Sequence, residues 1–228
     1  MRRLRCYRRP WFYEPDSPLL HAWLGRCYSV IYQSGWSQSP RETRQLGLDS
    51  CTRALRDAAS DLRILQAYGA AMGSFGTDLA ATDSMLDRGL ARDPEKSRLL
   101  LAAAWIKALV GRKSDLALAA SQAFLDRDPN SRAVPSAILC QAICHFQLKA
   151  FDAAIPLVKE VCALRPGHMF AQAILTASLA QSGRLDEARA AWANLKAKAQ
   201  IEIILAMLRD PDDRELLRSG LVMAGMEG

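Results

Sequence analysis

The chain lacks any apolar run of the ~20 residues that a membrane-spanning helix needs. Its longest near-apolar stretch, residues 99–110, is broken by Lys107. It contains three histidines, His21, His145 and His168, with no glycine-rich phosphate loop and no GxSxG nucleophile elbow. Those absences remove the commonest sequence signs of nucleotide binding and acyl transfer. Period-two alternation is missing over any useful length, so strands are not expected. The six cysteines, at 6, 27, 51, 140, 144 and 162, form no CxxC pair. Four-ligand zinc needs tighter paired spacing. No metal site is therefore expected, and the thiols read as small apolar groups packed between helices.

A net excess of positive charge is also lacking once one segment is set aside. The formal net charge is +6, and Arg2, Arg3, Arg5, Arg8 and Arg9 supply five of it, leaving +1 for the rest. A nucleic-acid binder usually spreads a basic stripe over a folded face, so nucleic acid is not the expected partner. Residues 1–17 read as a basic, poorly ordered tail. A signal peptide would follow its arginines with an apolar segment; here Pro10, Glu14, Pro15 and Asp16 follow. The expected compartment is a reducing cytoplasm. With 50% apolar and 24% charged residues over 228 positions, the composition is that of a globular chain.

What the chain has is a repeat. Pro94 in LARDPEKS, Pro129 in FLDRDPNS and Pro166 in VCALRPGH stand in similar contexts, spaced 35 and 37 residues apart. Each closes an alanine-rich segment with a break in its middle, which is the layout of two short antiparallel helices. Counted back from each proline, Thr82, Ala117 and Ala154 occupy a small-residue slot in the second helix. Gly69, Ala104 and Ala142 occupy one in the first. Small residues there let two helices cross closely. In the last unit Ala188 and Trp192 take the small and large slots, after Gly183 ends the preceding helix. Five helix pairs are predicted, at 18–59, 61–93, 97–128, 132–165 and 168–198. In the first, residues 41–58 form the second helix, with Gly47 in its small slot. A coda follows over 199–228. It contains the apolar run 201–208 and a helix opened by Asp210 as N-cap and Pro211 in the first turn. The fold class is all-α, a solenoid of stacked hairpins. The period matches the ~34 residues of the tetratricopeptide repeat.

The layout resembles the tetratricopeptide region at the C-terminal end of bacterial class III adenylate/guanylate cyclases, and of winged-helix regulators with the same array. The carrying segments are HAWLGRCYSVIYQSGW at 21–36, GHMFAQAILTASLAQSGRLDEARAAWANL at 167–195, and RDPDDRELLRSGLVMAGM at 209–226. The ending is carried by Asp213, Arg214, Leu217, Gly220, Leu221, Ala224 and Gly225. The relatives place a cyclase or DNA-binding domain before the repeats, whereas here only 17 residues precede the first predicted helix. The resemblance therefore implies an interaction scaffold, or alternatively a regulatory piece separated from its N-terminal domain. It does not imply cyclase activity for this chain.

The residues support no catalytic set. Cys144 and His145 are neighbours, so on a helix they point about 100° apart. The carboxylates gather in helix first turns, where capping accounts for them. Neither cofactor nor small-molecule substrate is expected. In the resembled family, groove-facing positions recur at fixed offsets on the first helices. Carried onto this chain they fall on Arg63 and Gln66, then Leu101 and Trp105, then Leu139, Ile143 and Phe146, then Phe170. The implied groove is apolar and suits a partner protein or peptide, received as an amphipathic helix. The alternative is that the chain's own coda or neighbouring side chains fill it. The run 201–208 is expected to cap the last repeat, because AKAQ supplies little chain for a return to the groove.

Overall fold

The computed structural model describes residues 16–56, 60–76, 78–111, 113–195 and 200–227. The five tail arginines lie outside the described residues. Helix-ending signals fall where the sequence places them. Asp93, Asp128 and Arg165 are non-helical residues directly before the three repeat prolines, as the clash of a proline ring with the preceding residue requires. Gly76, Gly111 and Gly183 take positive φ at helix ends, a region closed to most other residues. Asp61 and Asp78 accept hydrogen bonds from the backbone N–H of Arg63 and Ala81 and so start the next helices.

These signals delimit five hairpins: α1 (Pro18–Gln33) with α2 (Pro40–Leu55), α3 (Leu62–Phe75) with α4 (Leu79–Arg92), α5 (Ser97–Val110) with α6 (Ser114–Arg127), α7 (Val134–Gln147) with α8 (Phe151–Leu164), and α9 (Met169–Gln181) with α10 (Leu185–Leu195). The coda adds α11 (Ile201–Met207) and α12 (Pro211–Met223). No strand occurs among the described residues. The hairpins stack in order, each first helix against the next, as an all-α solenoid. The five predicted pairs match the observed ones. The first pair ends earlier than predicted, at Leu55.

The assigned small-residue slots lie at the crossings. Thr82, Ala104, Ala117, Ala142, Ala154 and Ala188 are buried. A Cβ on Gly69 would stand 2.9 Å from Leu86 Cδ1, and one on Gly47 would fall inside the Phe75 ring. The run 99–110 is buried except for the partly exposed Trp105 and Val110, and Lys107 within it is buried too. Its ammonium lies 2.5 Å from Asp83 and 2.7 Å from Asp87, while Lys113 reaches Asp83 at 2.6 Å. Burial pushes the Asp83 carboxyl up, but the two ammonium groups outweigh it and hold Asp83 below the usual carboxylate range. This polar knot fastens α4 to α5.

In the coda, α12 packs on the last hairpin, with Gly220 against Ala177 of α9 and Ala224 in one cluster with Ala188 and Trp192 of α10, whereas the apolar run 201–208 takes a different course from the expected cap. The described part of the coda begins at Gln200, whose side-chain amide donates to the Gly35 carbonyl in the α1–α2 turn. From there α11 passes the C-terminal end of α3 and reaches the end of α5, where the Arg209 N–H donates to the Leu109 carbonyl. The chain then turns back as α12. Gln147 at the end of α7 donates to the Asp213 carboxylate, and Gln181 at the end of α9 donates to the Leu216 carbonyl and Ser219. A Cβ on Gly220 would stand 2.7 Å from Ala177 Cβ, so α12 lies tight on α9. The coda thus laces across the C-terminal ends of the five first helices. Ile204, Leu205, Met207 and Leu208 are buried in the main core. The short AKAQ link leads one to expect no such return across the inner face. Curvature shortens it, by bringing the α1–α2 turn beside the start of α11.

Candidate functional site

The same curvature brings the first hairpin towards the last ones. Met169, at the start of α9, lies against Gly35, and the α8–α9 turn faces α1. Between them is a cavity of about 740 Å³, within the usual range for ligand sites. Its walls come from α1, α3 and α5, from the start of α7, and from the α8–α9 turn; Met207 of α11 closes one side. Stacked first helices supply one residue every turn: Trp23, Arg26 and Val30 from α1, and Arg98, Leu101 and Trp105 from α5, both spaced i, i+3, i+7.

The eight groove positions inferred from the resemblance separate into three groups. Gln66, Leu101 and Trp105 line this cavity. Arg63 lies outside it and is held by the carboxylate of Asp61 at 2.6 Å, an exposed pair beside the cap of α3. Leu139, Ile143, Phe146 and Phe170 are fully buried in the core and present no open surface. Phe146 packs on Phe151 of its own hairpin, with ring centroids 5.8 Å apart. Both phenylalanines share one apolar cluster with Ile204, Leu205 and Leu208 of the coda segment. The expected apolar groove is therefore filled along α7 and α9, and what stays open is a more polar cavity nearer the first hairpin.

Residues not reached by the family offsets dominate its chemistry. Trp23 and Trp36, at 45% and 72% exposure, stand with Trp105 around it. Arg26, Arg98 and Arg165 are cationic, and among the described residues no aspartate or glutamate lines the walls. Arg165 donates to Ser136 Oγ and the Arg132 carbonyl, and Arg26 donates to Ser29 Oγ on its own helix. Burial lowers the Arg26 guanidinium from its ordinary value, and the facing Arg165 charge acts in the same direction. His168 caps α9 by accepting the Ala171 N–H at its Nδ1. Burial, with the Arg165 charge beside it, pushes this imidazole down to about 4, so it is neutral at pH 7. The i, i+3, i+7 spacing on α1 was open to sequence reasoning. The contribution of Arg165 and His168 was not, since both sit at a turn.

Among the described residues no group of three or more side chains is placed to hold a metal ion. No described helix is long and apolar enough to cross a membrane. Cys140 and Cys144 meet on one face of α7, and the contact between the thiols together with burial pushes Cys140 well above its ordinary value. They belong to the core.

No family model matches the chain, and no curated protein matches it in sequence. Solved structures do match in shape. PilW, a widely conserved type IV pilus biogenesis factor, is 15% identical with a TM-score of 0.56, over 86% of this chain and 90% of that one. A tetratricopeptide repeat protein from Parabacteroides merdae is 16% identical with a TM-score of 0.52, over 92% of this chain and 86% of that one. At such identities the likeness is one of fold, and neither structure is described as a cyclase or a winged-helix regulator. With the repeat period, the buried small-residue slots and these superpositions, the chain is by its fold a tetratricopeptide-type helical-repeat protein.

Proposed function

We propose that the protein is a non-catalytic interaction scaffold whose inner cavity takes a short peptide segment of a partner protein. The observation that carries this reading is the cavity itself. It is walled by several separate helices, and exposed Trp23 and Trp36 stand with Trp105 around it. Exposed aromatic side chains of this kind are enriched where proteins recognise partners. Size favours a short segment over a docked helix. A helix of ~10 Å diameter occupies roughly 420 Å³ per turn, so about 740 Å³ holds fewer than two turns. An extended segment, or the side chains of a single turn, fits better than the long amphipathic helix that an open groove would receive.

The test is direct titration of the full chain with blocked peptides of five to eight residues, read by calorimetry and by the emission of its native tryptophans. Saturable quenching or a blue shift, lost in Gln66→Ala, is the expected result. A panel of varied peptides producing no change in emission and no heat of binding would overturn the proposal.

A further inference from the structure

The cavity carries a charge problem that the fold does not solve. Arg26 on α1 and Arg165 in the α8–α9 turn are half-buried like charges on the walls of one cavity, and the exposed Arg98 on α5 adds a third. No described carboxylate lies within ion-pair distance of any of them, although ion pairs elsewhere in the chain are frequent. Arg127, Arg184 and Arg189 all have acidic partners on exposed surface. Partly buried charge without a counter-ion costs stability, and such costs concentrate where a ligand supplies what is missing. The three arginines come from three elements that are distant in sequence and meet only because the solenoid curves.

Resting on the peptide-binding reading above, we propose that this cavity selects an acidic segment, whose side-chain carboxylates bridge Arg26, Arg98 and Arg165 while an apolar side chain packs beside Trp105. Arginine presents a planar fork that matches a carboxylate with two hydrogen bonds. Three such forks around one space of about 740 Å³ match several carboxylates on a short chain. Binding also removes the repulsion between Arg26 and Arg165. An acidic ligand therefore ties the first hairpin to the α8–α9 turn and stabilises the curved form.

The experiment uses the full chain and calorimetric titration with three blocked pentapeptides: Glu-Glu-Leu-Glu-Glu, the same peptide with every Glu replaced by Gln, and the same peptide with every Glu replaced by Lys. The expected result is that the Glu peptide binds at least tenfold tighter than the Gln peptide, weakens as salt is raised, and raises the melting temperature. Arg98→Gln, at an exposed position, and Arg26→Gln should each weaken it about tenfold. Arg189→Gln on α10, outside the cavity, should leave it unchanged. Equal binding of the Glu and Gln peptides overturns the acidic preference and leaves the peptide reading standing. Glu-peptide binding untouched by both cavity variants places the recognition elsewhere and overturns the inference. Failure of all three peptides, together with failure of the wider peptide panel, removes both.

Discussion

His168 offers a measurement in which structure fixes both sign and size. Its imidazole is pushed from 6.5 down to about 4 by burial and by the facing Arg165, with Arg26 acting the same way. In the unfolded chain it titrates near its ordinary value. Between pH 6.5 and about 4 the unfolded state therefore holds more protons than the folded one, and stability falls as pH falls through that window. Above about pH 7 both states are neutral and the group contributes no slope. The full difference between 6.5 and about 4 corresponds to roughly 3 kcal/mol. The ring is only half-buried at the cavity wall, and its solvent contact reduces the expectation to ~1–2 kcal/mol between pH 7 and pH 5. His168→Asn keeps an N-cap acceptor for the start of α9, since asparagine ranks among the best caps, and removes the titration. The assay is urea unfolding of both proteins at several pH values between 4.5 and 8. The difference in stability between them should be flat above pH 7 and should shift towards the variant as pH falls. Carboxylates common to both proteins cancel. Parallel pH profiles would refute the placement of His168 against two uncompensated arginines.

Three further outcomes follow from packing. Asp83→Ala leaves the buried Lys107 ammonium with only the half-exposed Asp87 and should cost about 3 kcal/mol, whereas Asp87→Ala should cost under ~1 kcal/mol; chemical denaturation of the two variants checks the ratio. Ala188→Trp overfills the α9–α10 crossing, where Ala188 is fully buried, and should cost ~1–3 kcal/mol or more, while Arg184→Trp in the exposed turn should shift the unfolding midpoint far less. Leu208→Ala removes a fully buried side chain from the coda and should cost ~2–5 kcal/mol, against little for Leu148→Ala at an exposed site; equal midpoints for that pair would mean that the coda is not docked.

The hairpins were legible because their determinants are local. A proline following each second helix, a glycine able to take positive φ, and a small residue at each crossing lie within one repeat, and a period of about 35 residues makes them visible. The cavity was not legible in the same way. Gln66, Leu101 and Trp105 could be found because successive first helices carry equivalent faces towards the inside. Arg165 and His168 lie far along the chain from Arg26, and no periodicity links a turn to a helix face four hairpins away. Their meeting depends on the summed curvature of the stack, a quantity set by small rotations at every crossing. Leu139, Ile143, Phe146 and Phe170 occupy the equivalent offsets on α7 and α9, yet are buried. Family offsets describe an open array, and they fail where neighbouring helices and the coda share one core with those side chains.

The route of the coda follows from the same geometry and explains why one part of the inner face is apolar and another is charged. Where α11 and α12 lie, Leu109, Phe146 and Phe170 of the first helices belong to one buried core with Leu205, Leu208 and Leu217, and burial of that area stabilises the fold at ~25 cal/mol per Å². Where the coda does not reach, the inner face instead carries Gln66, Arg98 and Arg26 with tryptophans beside them. A surface meant to be covered permanently by its own chain gains from apolar side chains. A surface that meets solvent between binding events must stay wettable, and long arginine side chains on the same walls as tryptophans meet that need while keeping apolar area available. The boundary between the two lies at Met207, which is buried in the core and also forms part of the cavity wall. Met207 is therefore the position at which a change in the coda should be felt in the cavity. Met207→Ala enlarges the cavity beside Trp105, and the emission of a variant keeping only Trp105 should shift to the red as water enters. Emission unchanged by that substitution would separate the coda from the cavity and leave the two faces unrelated.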